Sequence, residues 1–118
     1  MLVEDDATVT SVIEILLATE PDLELVGTAT SAEAGIELVR QLSPDLLLLD
    51  NQLAGRLSGV EAAPAFKQAF PGVIVLLCTA LDLAGVAAQT PAIDGYLRKE
   101  RLAEVADVSR ELLASHGR

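Results

Sequence analysis

Four consecutive leucines, Leu46–Leu49, stand between the breaker Ser43-Pro44-Asp45 and the acid Asp50. A run this short, with no polar alternation, reads as a strand covered on both faces, as in parallel sheets. Val73-Ile74-Val75-Leu76-Leu77-Cys78 runs into Thr79, Gly95-Tyr96-Leu97-Arg98 into Lys99, and Leu2-Val3 into Glu4-Asp5-Asp6. Between the runs lie stretches of helix length, which parallel strands need as crossovers. Ligands of open α/β sheets sit beyond the carboxyl ends of the strands. The polar residues that follow the apolar runs are therefore expected to converge on one edge, bringing Asp5, Asp6, Asp50, Thr79 and Lys99 into one pocket.

The intervening segments carry helix signals. Val9, Val12, Ile13, Leu16 and Leu17 recur at helical spacing and predict a first helix over residues 7–19, ended by Pro21-Asp22. Leu23, Leu25 and Val26 read as the second strand. Thr30 with Glu33 resembles a capping box for a second helix whose apolar face is Ala34, Leu38, Val39 and Leu42. Residues 51–57 read as a loop. Ser58 with Glu61 is another capping pair, opening a third helix that ends near Phe70-Pro71-Gly72; Pro64 inside it predicts a bend or a start delayed to Ala63. A short helix over 83–89 and a last one lined by Leu102, Val105, Ala106, Ser109, Leu112 and Leu113 complete the pattern. The predicted architecture is a single α/β domain over 1–118, flavodoxin-like and doubly wound. Its five parallel strands run in the order 2-1-3-4-5, with helices one and five on one face and two, three and four on the other.

Composition narrows the function. Of 118 residues 51% are apolar, yet only Phe66, Phe70 and Tyr96 are aromatic, so the core is aliphatic. A formal charge of −10 argues against nucleic-acid binding by this domain, since phosphate contacts need a basic face. The single cysteine, Cys78, allows no internal disulfide and lies within an apolar run, as a small core residue. No secretory signal and no membrane-length apolar run is visible, and a cytoplasmic location is expected.

Val3-Glu4-Asp5-Asp6, Pro44-Asp45-Leu46-Leu47-Leu48-Leu49-Asp50, Thr79-Ala80 and Gly95-Tyr96-Leu97-Arg98-Lys99, in this order and strand context, resemble the receiver domain of bacterial two-component response regulators. The likeness spans nearly the whole chain. The stretch from Leu25-Val26-Gly27 to Asp50 is most similar to receivers that precede a helix-turn-helix output domain. The resemblance implies Mg2+ as cofactor, held directly by Asp6 and Asp50, by Asp5 through water, and by the backbone carbonyl of Gln52. It implies Asp50 as the nucleophile that takes a phosphoryl group from a histidine kinase or phosphotransfer protein. Lys99 and Thr79 are then the groups that steady the phosphoryl oxygens, and Tyr96 is the switch aromatic that follows Thr79. The signal is expected on the face of helix four, strand five and helix five, towards a downstream output domain or protein, with a homodimer through that face left open.

Each residue also has a plainer role. Asp5 and Asp6 at a helix start complement the helix dipole, Asp50 is a turn residue, Thr79 a β-branched strand residue, Lys99 a solvated lysine and Tyr96 a cover for the sheet edge. The whole set in order outweighs these readings taken singly. The chain also departs from the family: three residues precede Glu4, Ala54 replaces a common proline, one extra residue precedes Gly59, and Glu100 replaces a proline after Lys99. Gln52 and Leu81 stand where family members tune phosphoryl lifetime, and an apolar Leu81 suggests a long one. His116 lies in the tail, outside any site.

Three rivals remain in view. A pseudo-receiver keeps the fold as an interaction module without phosphorylation. A magnesium phosphohydrolase needs an acid two residues after its nucleophile, where this chain has Gln52. A flavodoxin-like cofactor binder needs a glycine-rich phosphate loop after the first strand, where this chain has acids. The leading expectation is a switch that acts on itself rather than an enzyme with a separate product.

Overall fold

The computed structural model describes residues 1–118. Strand and helix alternate as β1 (Leu2–Val3), α1 (Ala7–Ala18), β2 (Thr28–Ala29), α2 (Ala32–Leu42), β3 (Leu46–Leu49), α3 (Gly59–Ala69), β4 (Ile74–Thr79), α4 (Ala84–Ala88), β5 (Gly95–Arg98) and α5 (Val105–Ser115). A 3₁₀ helix over Lys99–Glu104 leads into α5. All strand pairs are parallel and the sheet order is 2-1-3-4-5, as the alternation predicts.

Period-two alternation divides the strands between two apolar layers. Val3, Leu47, Leu49, Val75 and Leu77 face the layer closed by Val39 of α2, Phe66 of α3 and Ala87 of α4. Leu2, Leu48, Leu76, Cys78 and Leu97 face the layer closed by Ile13 and Leu17 of α1 and Val105 and Ala106 of α5. Helices one and five thus share one face and two, three and four the other. Burial pushes the Cys78 thiol up to about 12, so it stays protonated as a core side chain.

The second strand is displaced from its expected position. Leu2 pairs with Thr28 and Val3 with Ala29, so Leu23, Leu25 and Val26 lie level with positions ahead of Met1, where β1 offers them no partner. They make no ladder bonds and fall outside β2. The cap of α2 is Ser31, whose hydroxyl accepts the Ala34 amide, rather than Thr30. Glu33 turns away from the expected box and its carboxylate accepts the Arg56 amide at 3.3 Å. The buried face of α2 is Ala32, Gly35 and Val39, with Ala34 exposed.

The capping box of α3 forms as read, Ser58 and Glu61 each accepting the other's amide. Its helix starts at Gly59 and runs unbroken through Pro64. Pro64 is exposed, so the bond it denies the Val60 carbonyl is lost on the outer side of the helix. Phe66, on the opposite side of this helix, is the largest of the fully buried side chains. Phe66→Ala should therefore cost about 3–5 kcal/mol, measured by urea unfolding with an unchanged m-value.

Candidate functional site

Because β1 and β3 are parallel with Val3 level with Leu49, the residues that follow them, Glu4 and Asp50, come side by side. Both are buried, at 3% exposure each. Asp5 lies next to them at the surface, and one carboxylate oxygen from each of Glu4, Asp5 and Asp50 falls within 4.8 Å of the others. Lys99, directly after β5, reaches over β4 to place its Nζ 2.6 Å from Glu4 Oε1 and 3.3 Å from Asp50 Oδ1. Thr79, the last residue of β4, is fully buried between them in the sheet.

Asp6 is not in this cluster. Its carboxylate caps α1 instead, accepting the amides of Thr8 at 2.8 Å and Val9 at 3.3 Å, and Glu4 takes the inner acidic position. Asp6 is bound to the cluster only through its backbone, whose amide donates to Glu4 Oε2 at 3.3 Å. The sequence held a signal for this. In a run of three acids, the first after the strand inherits the strand's register with Asp50, whereas the third stands where a helix N-cap wants a short acceptor.

The electrostatics follow from burial. Desolvation pushes the Glu4 carboxyl above its usual range, the Lys99 ammonium pulls it back, and the neighbouring Asp50 adds to the rise. Burial alone would lower the Lys99 ammonium, but Glu4 and Asp50 outweigh it and hold it above the ordinary lysine value. Asp50 is aimed by its own neighbourhood. Its Oδ1 accepts the Asn51 amide at 2.8 Å, and Asn51 Oδ1 in turn accepts the Val60 amide at 3.0 Å, tying this residue pair to the start of α3. Gly59 permits that closeness, since a Cβ there would stand 2.2 Å from the Asp50 carbonyl oxygen. Gln52 points its side chain outward and its carbonyl accepts no bond from the chain.

A clustered set of carboxylate oxygens suits a hard, oxygen-seeking dication such as Mg2+. Away from the cluster, the Thr79 hydroxyl accepts the Leu81 amide at 3.2 Å. The Tyr96 hydroxyl donates to the Leu81 carbonyl at 2.9 Å and accepts the Leu83 amide at 3.0 Å. Tyr96 and Thr79 thus grip the same short loop ahead of α4.

The family model described as the response regulator receiver domain matches residues 1–107. The chain belongs to the response regulator receiver family. A response regulator protein, VraR, from Staphylococcus aureus is 32% identical over 114 residues, covering 94% of this chain and 54% of that protein. A protein-glutamate methylesterase/protein-glutamine glutaminase from a Nocardioides species is 29% identical over 93 residues, covering 79% of this chain and 25% of that one. The receiver therefore spans only a quarter to about half of these curated relatives. A two-component response regulator of the LuxR family from an Aurantimonas species superimposes with a TM-score of 0.88 at 27% identity, covering 98% of this chain and 84% of that one. The receiver's place is in two-component signalling. No helix in it is long and apolar enough to cross a membrane.

Two outcomes follow from the divided acidic run. Lys99→Met strands two buried carboxylates without their cation and should cost the metal-free receiver on the order of 3 kcal/mol, read by chemical denaturation at neutral pH, with added Mg2+ restoring part of the loss. Asp6→Ala should remove about 1 kcal/mol of helix-cap stability yet leave Mg2+ affinity unchanged by calorimetric titration, whereas Asp5→Asn should leave stability intact and weaken Mg2+ binding.

Proposed function

We propose that this receiver is a phosphoacceptor switch in which Asp50 takes a phosphoryl group from a histidine kinase or phosphotransfer protein. The observation that carries the reading is the buried Asp50 carboxylate standing within 3.3 Å of the Lys99 ammonium and beside two further acids. An Asp50 oxygen forms the new bond to phosphorus as the donor's phosphorus–nitrogen bond breaks. The Asn51 amide holds Asp50 in one rotamer, so little orientation remains to be found at the moment of attack. Lys99 is anchored by Glu4, which places its charge where the phosphoryl oxygens gather.

Mg2+ held by Glu4, Asp5, Asp50 and the Gln52 carbonyl would supply the positive charge that lets an acidic pocket accept a phosphate. Glu4 replaces Asp6 in the ligand set proposed from sequence. The Thr79 hydroxyl, now an acceptor for Leu81, would turn to donate to a phosphoryl oxygen and release that amide. Tyr96 holds the same loop through Leu81 and Leu83, so the change passes to α4, a five-residue helix with no side-chain cap. The face of α4, β5 and α5 then signals to an output domain or partner, as a self-directed switch rather than an enzyme with its own product. Leu81, 43% exposed and without a polar group, offers attacking water no hydrogen bond, which supports a long-lived phosphoryl group.

Incubation with acetyl phosphate and Mg2+ should add one phosphoryl group by intact-mass spectrometry, mapped to Asp50 and absent from Asp50→Asn or with EDTA. A receiver that stays unmodified under these conditions is an interaction module of the same fold instead. A phosphoryl group lost within seconds runs against the role given to Leu81.

A further inference from the structure

The start of α3 leaves four backbone amides that its own ladder does not use, those of Ser58, Gly59, Val60 and Glu61. The capping box satisfies the outer two, with Glu61 Oε1 accepting the Ser58 amide at 3.0 Å and Ser58 Oγ accepting the Glu61 amide at 3.2 Å. The inner two both go to Asn51. Its main-chain carbonyl accepts the Gly59 amide at 3.0 Å, and its side-chain Oδ1 accepts the Val60 amide at 3.0 Å. One residue thus supplies both acceptors that the box leaves open.

Asn51 is fixed from the strand side too. Its own amide donates to Asp50 Oδ1 at 2.8 Å, and Lys99 Nζ stands 3.3 Å from the same oxygen. The helix start is pressed against this pair: a Cβ on Gly59 would stand 2.2 Å from the Asp50 carbonyl oxygen and 3.0 Å from the Asn51 Cα. A carboxylate samples several rotamers unless a donor holds it, and a donor on the next residue holds it only where that peptide cannot rotate. The two bonds from α3 stop that rotation. The side chain that takes one of them has to be neutral. A helix start welcomes a carboxylate, but position 51 adjoins Asp50, and Glu4 and Asp5 each already place a carboxylate oxygen within 4.8 Å of one of its own. A further negative charge there repels the others, whereas the Asn amide offers the oxygen without the charge.

We infer that Asn51 is a positioning residue for the acceptor: docked on the first turn of α3 through both its carbonyl and its side chain, it fixes the amide that aims the Asp50 carboxylate. Asn51 acts through Asp50 and not on the phosphodonor. Because α3 is anchored by the buried Ala62, Ala63 and Phe66, the aim of Asp50 is referred to the core. It does not depend on the middle of the 51–57 loop, where Ala54, Gly55 and Arg56 are exposed. The inference rests on the phosphoacceptor reading for its effect on rate, while the aiming itself rests only on these contacts.

Four chains test it: the wild type, Asn51→Leu, Asn51→Asp and Ser58→Ala. The Ser58 variant weakens the same helix start without touching Asn51, and so measures a merely structural loss. Asn51→Leu should speed hydrogen exchange at the amide of residue 51 by roughly tenfold or more beyond Ser58→Ala, and Asn51→Asp, which keeps the oxygen, should retain the protection. With acetyl phosphate and saturating Mg2+, the initial phosphorylation rate of Asn51→Leu should fall on the order of tenfold, while Ser58→Ala, at a similar loss of Tm, stays near the wild type. Unchanged exchange at residue 51 in Asn51→Leu overturns the inference. So does a rate loss in Ser58→Ala that matches Asn51→Leu, which makes Asn51 a helix cap and nothing more. A wild-type receiver that takes up no phosphoryl group overturns the acceptor reading and the rate effect with it. Exchange at residue 51 needs no phosphodonor and separates that failure from a failure of Asn51 to aim Asp50.

Discussion

Two carboxylates, Glu4 and Asp50, are buried side by side because their strands are parallel neighbours in register. Removing such charges from water is costly, and their mutual repulsion adds to the cost. The counter-charge comes from Lys99, at the end of a strand that is not adjacent to either of theirs. Only the order β1-β3-β4-β5, with β4 ending in the compact Thr79, lets an ammonium reach across one strand to both acids. The same arrangement that makes the metal-free pocket tolerable gathers the groups that the proposed dication and phosphoryl group would use.

Around this centre the supporting contacts divide into a rigid and a loose side. Asp50 is tied through Asn51 to the first turn of α3, whose own start is held by a complete capping box and by the close fit of Gly59. On the other side, three hydrogen bonds, one to Thr79 and two to Tyr96, hold the residues ahead of α4, and α4 itself buries only Ala87. The contacts around the acidic cluster are thus denser towards α3 than towards α4. The switch proposed above would act through the looser side.

Much of this was legible in the residues. The apolar runs, their polar endings and the Ser58–Glu61 box all depend on neighbours within a few positions, so local pattern predicted them. The displaced β2 and the altered cap of α2 were not legible, because one depends on how far β1 extends and the other on a loop more than twenty residues away that draws off Glu33. Within the site, Asp5, Asp50, Thr79 and Lys99 stand at the expected edge, whereas Asp6 and Glu4 exchange places. Adjacent acids are alike in composition, and their difference is one of direction: Glu4 keeps the strand's register and Asp6 turns to satisfy helix amides.

By itself, the sequence determined the alternation of buried strands and amphipathic helices, and with it a parallel sheet whose polar strand ends must meet on one edge, because hydrophobic periodicity and turn chemistry act locally. Only the tertiary structure decided which of three consecutive acids enters the pocket and that Lys99 pairs with both buried carboxylates. Those outcomes depend on register between strands and on which backbone groups find partners, and both are properties of the assembled sheet.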